Sequence, residues 1–203
     1  MKTAFCFDLD GTITKEEMLV VLAKKMGLVE EFSLLTEATM AGVLPFAASF
    51  KLRIKILSAL SISEVKQTLN KVKLSDKLVE FIKQNKQDCF IVTGNLDCYV
   101  EDIIKTIGCR CFSSIAEVED GFVKDIKYIM DKSNAINLVR DLGYKKVIAI
   151  GDGSNDIPMF EQANLGIGYF AIKQKSIKEV IKHCDVSVFN EDSLCKILKT
   201  QLS

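Results

Sequence analysis

The sequence predicts an α/β fold: a doubly wound parallel sheet, carrying an inserted helical segment and a β-hairpin. Three observations point there. Short, wholly apolar runs at residues 3–7, 89–92, 147–150, 165–167 and 186–189 lack the polar alternation of a half-exposed strand, so each reads as a strand buried on both faces. Amphipathic helical stretches separate these runs, and parallel neighbours require such crossovers. Finally, the chain between Asp10 and Thr93 is far longer than one strand-helix-strand unit of roughly 30 residues, leaving about fifty residues surplus to the sheet.

Taken in order, the run at 3–7 opens the sheet. The surplus then reads as four helices near 17–26, 30–40, 46–59 and 64–71, linked around Gly27, Gly42 to Pro45 and Ser61 to Ser63. This places an inserted helical cap at 15–75 and the α/β core at 1–14 and 76–203. Helices follow at 76–84, at 97–107 stopped by Gly108, at 133–142 stopped by Gly143, and at 193–199. Between 115 and 129, partial alternation around Asp120-Gly121 marks a hairpin.

Composition excludes several classes of function. With 27 Lys+Arg against 27 Asp+Glu, the 203-residue chain has no global field to concentrate it on nucleic acid or an anionic membrane. Hydrophobic residues make up 48% of it, enough to drive a packed core, but the longest apolar neighbourhood is interrupted by Lys51, Arg53 and Lys55 and cannot span a bilayer. Seven Cys, without paired zinc-ligand spacing and with no cleavable leader ahead of them, are expected to be reduced thiols in a cytoplasm. Cys109 and Cys111 read as ordinary thiols, and a lone His183 excludes any multi-histidine site. Lys173, Lys175, Lys178 and Lys182 read as a solvated helix face.

Chemistry concentrates where the apolar runs end. The first leads into Asp8-Leu9-Asp10-Gly11-Thr12, setting two carboxylates at the carboxyl edge of a buried strand, where open α/β sheets bind ligands. The run at 147–150 leads into Gly151-Asp152-Gly153-Ser154-Asn155-Asp156, a second acidic cluster at the same edge, with Ser154 placed to cap the next helix. Carboxylates converging there repel one another unless a hard divalent cation with oxygen ligands compensates, and Mg²⁺ is the expected ion. The run at 89–92 ends in Thr93-Gly94-Asn95, expected to lead into a helix whose N–H groups face an anion, and Lys132 opens a further helix. A hydroxyl and an ammonium in an acidic site suit a phosphoryl group.

These four elements in this order resemble the haloacid dehalogenase superfamily of phosphohydrolases. The resemblance implies that Asp8 is the nucleophile forming an aspartyl-phosphate, and that Asp10 is the acid protonating the leaving oxygen and then the base activating water. It implies further that Asp8, the backbone carbonyl of Asp10, and Asp152 hold Mg²⁺ with Asp156 in support, and that Thr93, Gly94, Asn95, Lys132 and Asn155 bind substrate or phosphate.

The insertion resembles the cap of the phosphoserine phosphatase branch. Glu17 falls where that branch binds the substrate ammonium and Arg53 where it binds the carboxylate, with Met40 and Phe46 at apolar lid positions. Independently of the resemblance, Arg53 lies in the helical stripe of Phe50, Ile54, Leu57 and Leu60, either facing inward or snorkelling past it. Gly11 stands where that branch often has Ser, and Thr93-Gly94-Asn95 replaces its usual Ser-Gly-Gly, so the Asn95 side chain is expected to narrow the space beside the phosphate.

The expected activity is hydrolysis of a small phosphorylated metabolite, with O-phosphoserine as the specific choice, by a monomer or homodimer with neither nucleic-acid nor membrane partner. The alternatives are phosphoethanolamine, phosphocholine, a methylthio-sugar phosphate, or transfer to homoserine. A phospho-receiver domain would share the acidic cluster, the Thr and the Lys, but not the second aspartate or the cap.

Overall fold

The computed structural model describes residues 2–40, 43–172 and 177–202, with the side chains of Met40 and Ile177 outside that description. The expectations for Met40, Lys173 and Lys175 therefore lie outside the described residues. Seven strands form one sheet: β1 (Thr3–Phe7), β2 (Cys89–Leu96), β3 (Arg110–Glu119), β4 (Phe122–Tyr128), β5 (Lys146–Gly151), β6 (Leu165–Tyr169) and β7 (Val186–Val188). Their order is β4-β3-β2-β1-β5-β6-β7. All neighbours run parallel except β3 and β4.

The described helices are α1 (Met18–Met26), α2 (Val29–Met40), α3 (Phe46–Leu57), α4 (Ile62–Leu69), α5 (Asp76–Gln84), α6 (Asp97–Ile107), α7 (Lys132–Asp141), α8 (Ile157–Gln162), α9 (Ile177–His183) and α10 (Glu191–Thr200). Strand side chains alternate between faces, and the two faces belong to different hydrophobic clusters. Phe5 and Phe7 pack on one side with Leu78, Phe81, Ile103, Leu194 and Leu198 from α5, α6 and α10. Ala4 and Cys6 pack on the other with Ile136, Val139, Met159, Phe160 and Val180 from α7, α8 and α9. Helices on both faces explain why the strands read as unbroken apolar runs.

Three expectations need correction. β2 does not stop at Val92: after an irregularity it pairs Leu96 with Ser114, and the Ser114 hydroxyl donates to the Gly94 carbonyl at 2.7 Å. Thr93, Gly94 and Asn95 are thus strand residues, and α6 begins only at Asp97. The hairpin is also longer than its alternation suggested. Its first strand starts at Arg110, lies parallel to β2, and then turns antiparallel to β4 from Ile115; at the tip Asp120 (φ 50°) and Gly121 (φ 81°) supply the two left-handed residues of a type I′ turn. Lastly, Ser154 lies within a single 3-10 turn, and the Asp156 carboxylate takes the Asp152 and Gly153 N–H groups at 3.0 and 2.9 Å.

Helices α1–α4 occupy the sequence between β1 and α5. The chain leaves and returns side by side: Thr14 bridges antiparallel to Leu74, Lys15 N–H donates to the Lys73 carbonyl and Ser75 N–H to the Ile13 carbonyl, both at 2.8 Å. The N-terminus of α4 is fixed by the reciprocal Ser61–Glu64 box. It meets the hairpin tip, where Ile62 N–H donates to the Gly121 carbonyl at 2.9 Å, while Lys66 pairs with Glu101 on α6. All seven cysteines are free thiols; burial pushes those of Cys109 and Cys111 up to about 12, which makes them poor nucleophiles.

Candidate active site

β1 and β5 are neighbours with Phe7 opposite Ile150, so the residues that follow each strand emerge together. Asp8 N–H still donates to the Ile150 carbonyl at 2.8 Å. Gly11 lets the chain turn away at φ 76°, and a Cβ there would stand 2.5 Å from Asp152 Oδ2. The glycine therefore brings the two acidic segments close, and any side chain at this position would crowd Asp152. One oxygen from each of Asp8, Asp152 and Asp156 falls within 4.8 Å of the others, and all three residues are buried.

Lys132 is the first residue of α7, and its side chain enters this cluster. Its ammonium pairs with Asp8, and with Asp156 Oδ1 at 2.6 Å. Burial opposes its charge, but Asp156 and Asp8 outweigh that, so its pKa is raised above the usual lysine value. Asp8 is pushed well above the ordinary carboxylate range, first by burial and then by Asp156 and Asp152, against the opposing pull of Lys132. The oxygens of Asp8, Asp152 and Asp156 form an all-oxygen donor set that matches a hard divalent cation.

Asp10 is oriented differently. Its side chain lies outside the three-carboxylate cluster; Oδ1 accepts the Met18 N–H at 2.8 Å, and Oδ2 accepts the Asn95 amide. Asp10, rather than Glu17, thereby takes the N–H that opens α1. Burial first, then Glu17 and Asp8, raise its pKa well above the ordinary value. The two aspartates of one motif, although only two positions apart, have different partners.

A cavity of about 670 Å³ opens above them. Asp8, Asp10, Gly94, Asn95, Asp152 and Asn155 line it from the sheet edge, while Glu17, Phe46, Phe50 and Arg53 line it from α1 and α3. The Phe46 ring stacks on Phe50 at 6.1 Å and reaches over the end of β2, its Cζ 3.6 Å from where a Gly94 Cβ would be. Arg53 faces inward and is half-buried, burial lowering its pKa against the opposing effect of Glu17. Thr93 and Lys132 are buried at 0% and 6% exposure; the Thr93 hydroxyl oxygen accepts the Asn95 N–H at 3.1 Å, a contact that does not use its own proton.

Residues 5–161 match the family of haloacid dehalogenase-like hydrolases. The chain belongs to that family. A curated phosphoserine phosphatase of Archaeoglobus fulgidus is 30% identical over 98% of this chain, which spans 60% of that protein's length. One from Methanocaldococcus jannaschii is 27% identical, the match covering 90% of this chain and 97% of the relative. A solved structure described as a phospho-aspartyl intermediate analogue of phosphoserine phosphatase superposes with a TM-score of 0.80 at 26% identity, covering 98% of each chain.

Within this haloacid dehalogenase-like site, the sequence reading missed Thr36, Glu37 and Thr39, which line the cavity from α2. Thr36 matters most, because its hydroxyl accepts from the Arg53 guanidinium at 2.9 Å, which also lies 6.0 Å from the Phe32 ring centre. No local signal marks Thr36, since small polar residues are common on half-exposed helices and its partner lies on another helix.

Proposed function

We propose that this chain is a Mg²⁺-dependent phosphomonoesterase acting on a small phosphorylated amino acid, with O-phosphoserine as substrate and an aspartyl-phosphate on Asp8 as intermediate. The observation that carries this reading is the junction of two halves in one cavity: Asp8, Asp10 and Asp152 on one side, with Lys132 and Asp156 buried against Asp8, and Glu17 with Arg53 on the other. The phosphoserine phosphatases among the relatives support the substrate, and the phospho-aspartyl analogue among the structural relatives supports the intermediate.

Asp8, the Asp10 backbone carbonyl and Asp152 would hold the cation, with Asp156 bracing the turn and Lys132. When bound, it supplies positive charge that offsets the repulsion between a carboxylate and a phosphate dianion. An Asp8 oxygen attacks phosphorus while Asp10 passes its proton to the ester oxygen, so the P–O bond breaks as the Oδ–P bond forms and serine leaves neutral at its hydroxyl. Asp10, now a carboxylate, takes a proton from water as that water attacks phosphorus; the Asp8–phosphorus bond breaks and phosphate departs. Lys132, the Thr93 hydroxyl and backbone N–H groups at Gly94 and Asn155 would hold phosphoryl oxygens. Residues 15–75 would act as a cap over the core of 1–14 and 76–203, its Phe46 excluding bulk water.

Glu17 and Arg53 place opposite charges across the cavity, matching an ammonium and a carboxylate on one small substrate. In a panel of phosphoserine, phosphoethanolamine, phosphocholine and a methylthio-sugar phosphate, with and without homoserine, phosphoserine is expected to give the highest kcat/KM and homoserine no phosphorylated product. Arg53→Ala should raise KM for phosphoserine about tenfold or more relative to phosphoethanolamine, which lacks the carboxylate. Equal changes in both would remove Arg53 from recognition.

Metal binding has a readout independent of activity. Asp8 and Asp10 carry raised pKa values in the folded state. Their contribution to stability is therefore full below the ordinary carboxylate pKa and is lost as pH rises through the raised values. A cation that binds the ionised form stabilises most where that loss is greatest. Mg²⁺ at a hundredfold excess over Kd is expected to stabilise the fold by about 2.7 kcal/mol, and to raise the melting temperature more at pH 7.5 than at pH 5. A Mg²⁺ effect independent of pH would contradict this account.

A further inference from the structure

We propose that Asn95 is a positioning residue for proton transfer: its side-chain amide, together with the Met18 backbone N–H, holds the Asp10 carboxyl group aimed at the leaving oxygen of the ester. The proposal rests on the phosphatase reading above and adds a role toward Asp10 for a side chain expected to lie beside the phosphate and narrow the pocket.

A carboxyl group on a one-carbon arm swings easily about its last torsion. Here both oxygens are engaged, Oδ1 by Met18 N–H at 2.8 Å and Oδ2 by Asn95 Nδ2. The two donors come from different parts of the chain, one from the start of α1 and one from β2, so rotation of the carboxyl breaks at least one bond. Asn95 is itself firmly placed. It is 5% exposed, sits in a strand, and its backbone N–H is held by Thr93 Oγ1 at 3.1 Å. The amide suits this position because it donates to Asp10, which a carboxylate in its place would repel.

With both oxygens already accepting, a proton on Asp10 occupies a remaining lone pair, and its direction is set by the two donors. That proton moves to the ester oxygen as the P–O bond breaks. The transfer is needed when the departing group is an alkoxide such as that of serine, and hardly at all when it is a stable nitrophenolate. Loss of Asn95 should therefore affect the two kinds of ester unequally, whereas general damage to the site or the fold would affect both alike.

The test compares kcat/KM, which reports the first half-reaction, for phosphoserine and for p-nitrophenyl phosphate in the full chain and in Asn95→Ala. Asn95→Leu, which keeps the volume but not the donor, serves as the second variant, and thermal unfolding checks both. The ratio of the phosphoserine to the p-nitrophenyl value is expected to fall by at least about tenfold in a folded variant. An unchanged ratio, whether both values fall together or neither falls, overturns the positioning role while leaving the phosphatase reading intact. If the parent chain hydrolyses neither ester, the phosphatase reading fails and the proposal falls with it.

Discussion

Asp8→Asn is expected to lower phosphoserine turnover by at least about 10⁴-fold while the chain stays folded, the largest effect of any single substitution considered. The size follows from the proposed route: without an anionic oxygen at this position no aspartyl-phosphate forms, and losing a nucleophile removes everything the covalent path contributed. The fold should persist because Asn matches Asp in shape and carries no charge into a site where burial, Asp156 and Asp152 already disfavour the Asp8 anion. Lys132 loses one ion-pair partner but keeps Asp156. Phosphate release and a thermal melt measure the two halves. Rapid quenching with labelled phosphoserine should trap label on the parent chain and none on the variant. Phosphate release at the parent rate would remove Asp8 from the nucleophile's role.

Lys132→Met should strike stability and activity together. Its ammonium is the cation the structure shows between Asp8 and Asp156, and all three side chains are 5% exposed or less. Removing one member of a buried charged group typically costs about 3–5 kcal/mol, because the carboxylates left behind lose their countercharge in a buried site. Turnover should fall about 10²–10³-fold as well, the scale seen when a charge-stabilising donor is lost from a transition state. The pH dependence has a definite sign. Lys132 lowers the Asp8 pKa, so its removal raises that pKa further; a raised folded-state value favours folding at low pH and opposes it as pH climbs. Denaturant titrations should find the variant closest to the parent near pH 5 and furthest from it above pH 7. A deficit of the same size at both would mean that the carboxylates were not held apart by the lysine.

The sequence made much of this site legible because strand-end motifs carry their own geometry. Asp8 and Asp152 follow apolar runs that could only be central strands, and neighbouring parallel strands deliver their carboxyl ends to the same edge. Arg53 was legible as a charge inside an apolar stripe, and the structure decided between its two readings by turning it into the cavity. The reach of β2 to Leu96 was not legible: Thr93-Gly94-Asn95 has turn-like composition, and only pairing with β3 keeps it extended. Ser154 looked like a cap for the same local reason, until Asp156 took the turn's N–H groups.

Apolar runs, helical periodicity and spacing determined the sheet with helices on both faces, the helical insertion after the first strand, and the placing of Asp8 and Asp152 at strand ends of one sheet edge, because such patterns record where in its own element each residue lies. They do not record which residue of another element stands opposite. Lys132 between Asp8 and Asp156, Asn95 on Asp10, and Thr36 under Arg53 were decided by tertiary structure only. Each of these contacts joins side chains from separate elements, and its geometry exists only once the sheet register and the helix packing are fixed.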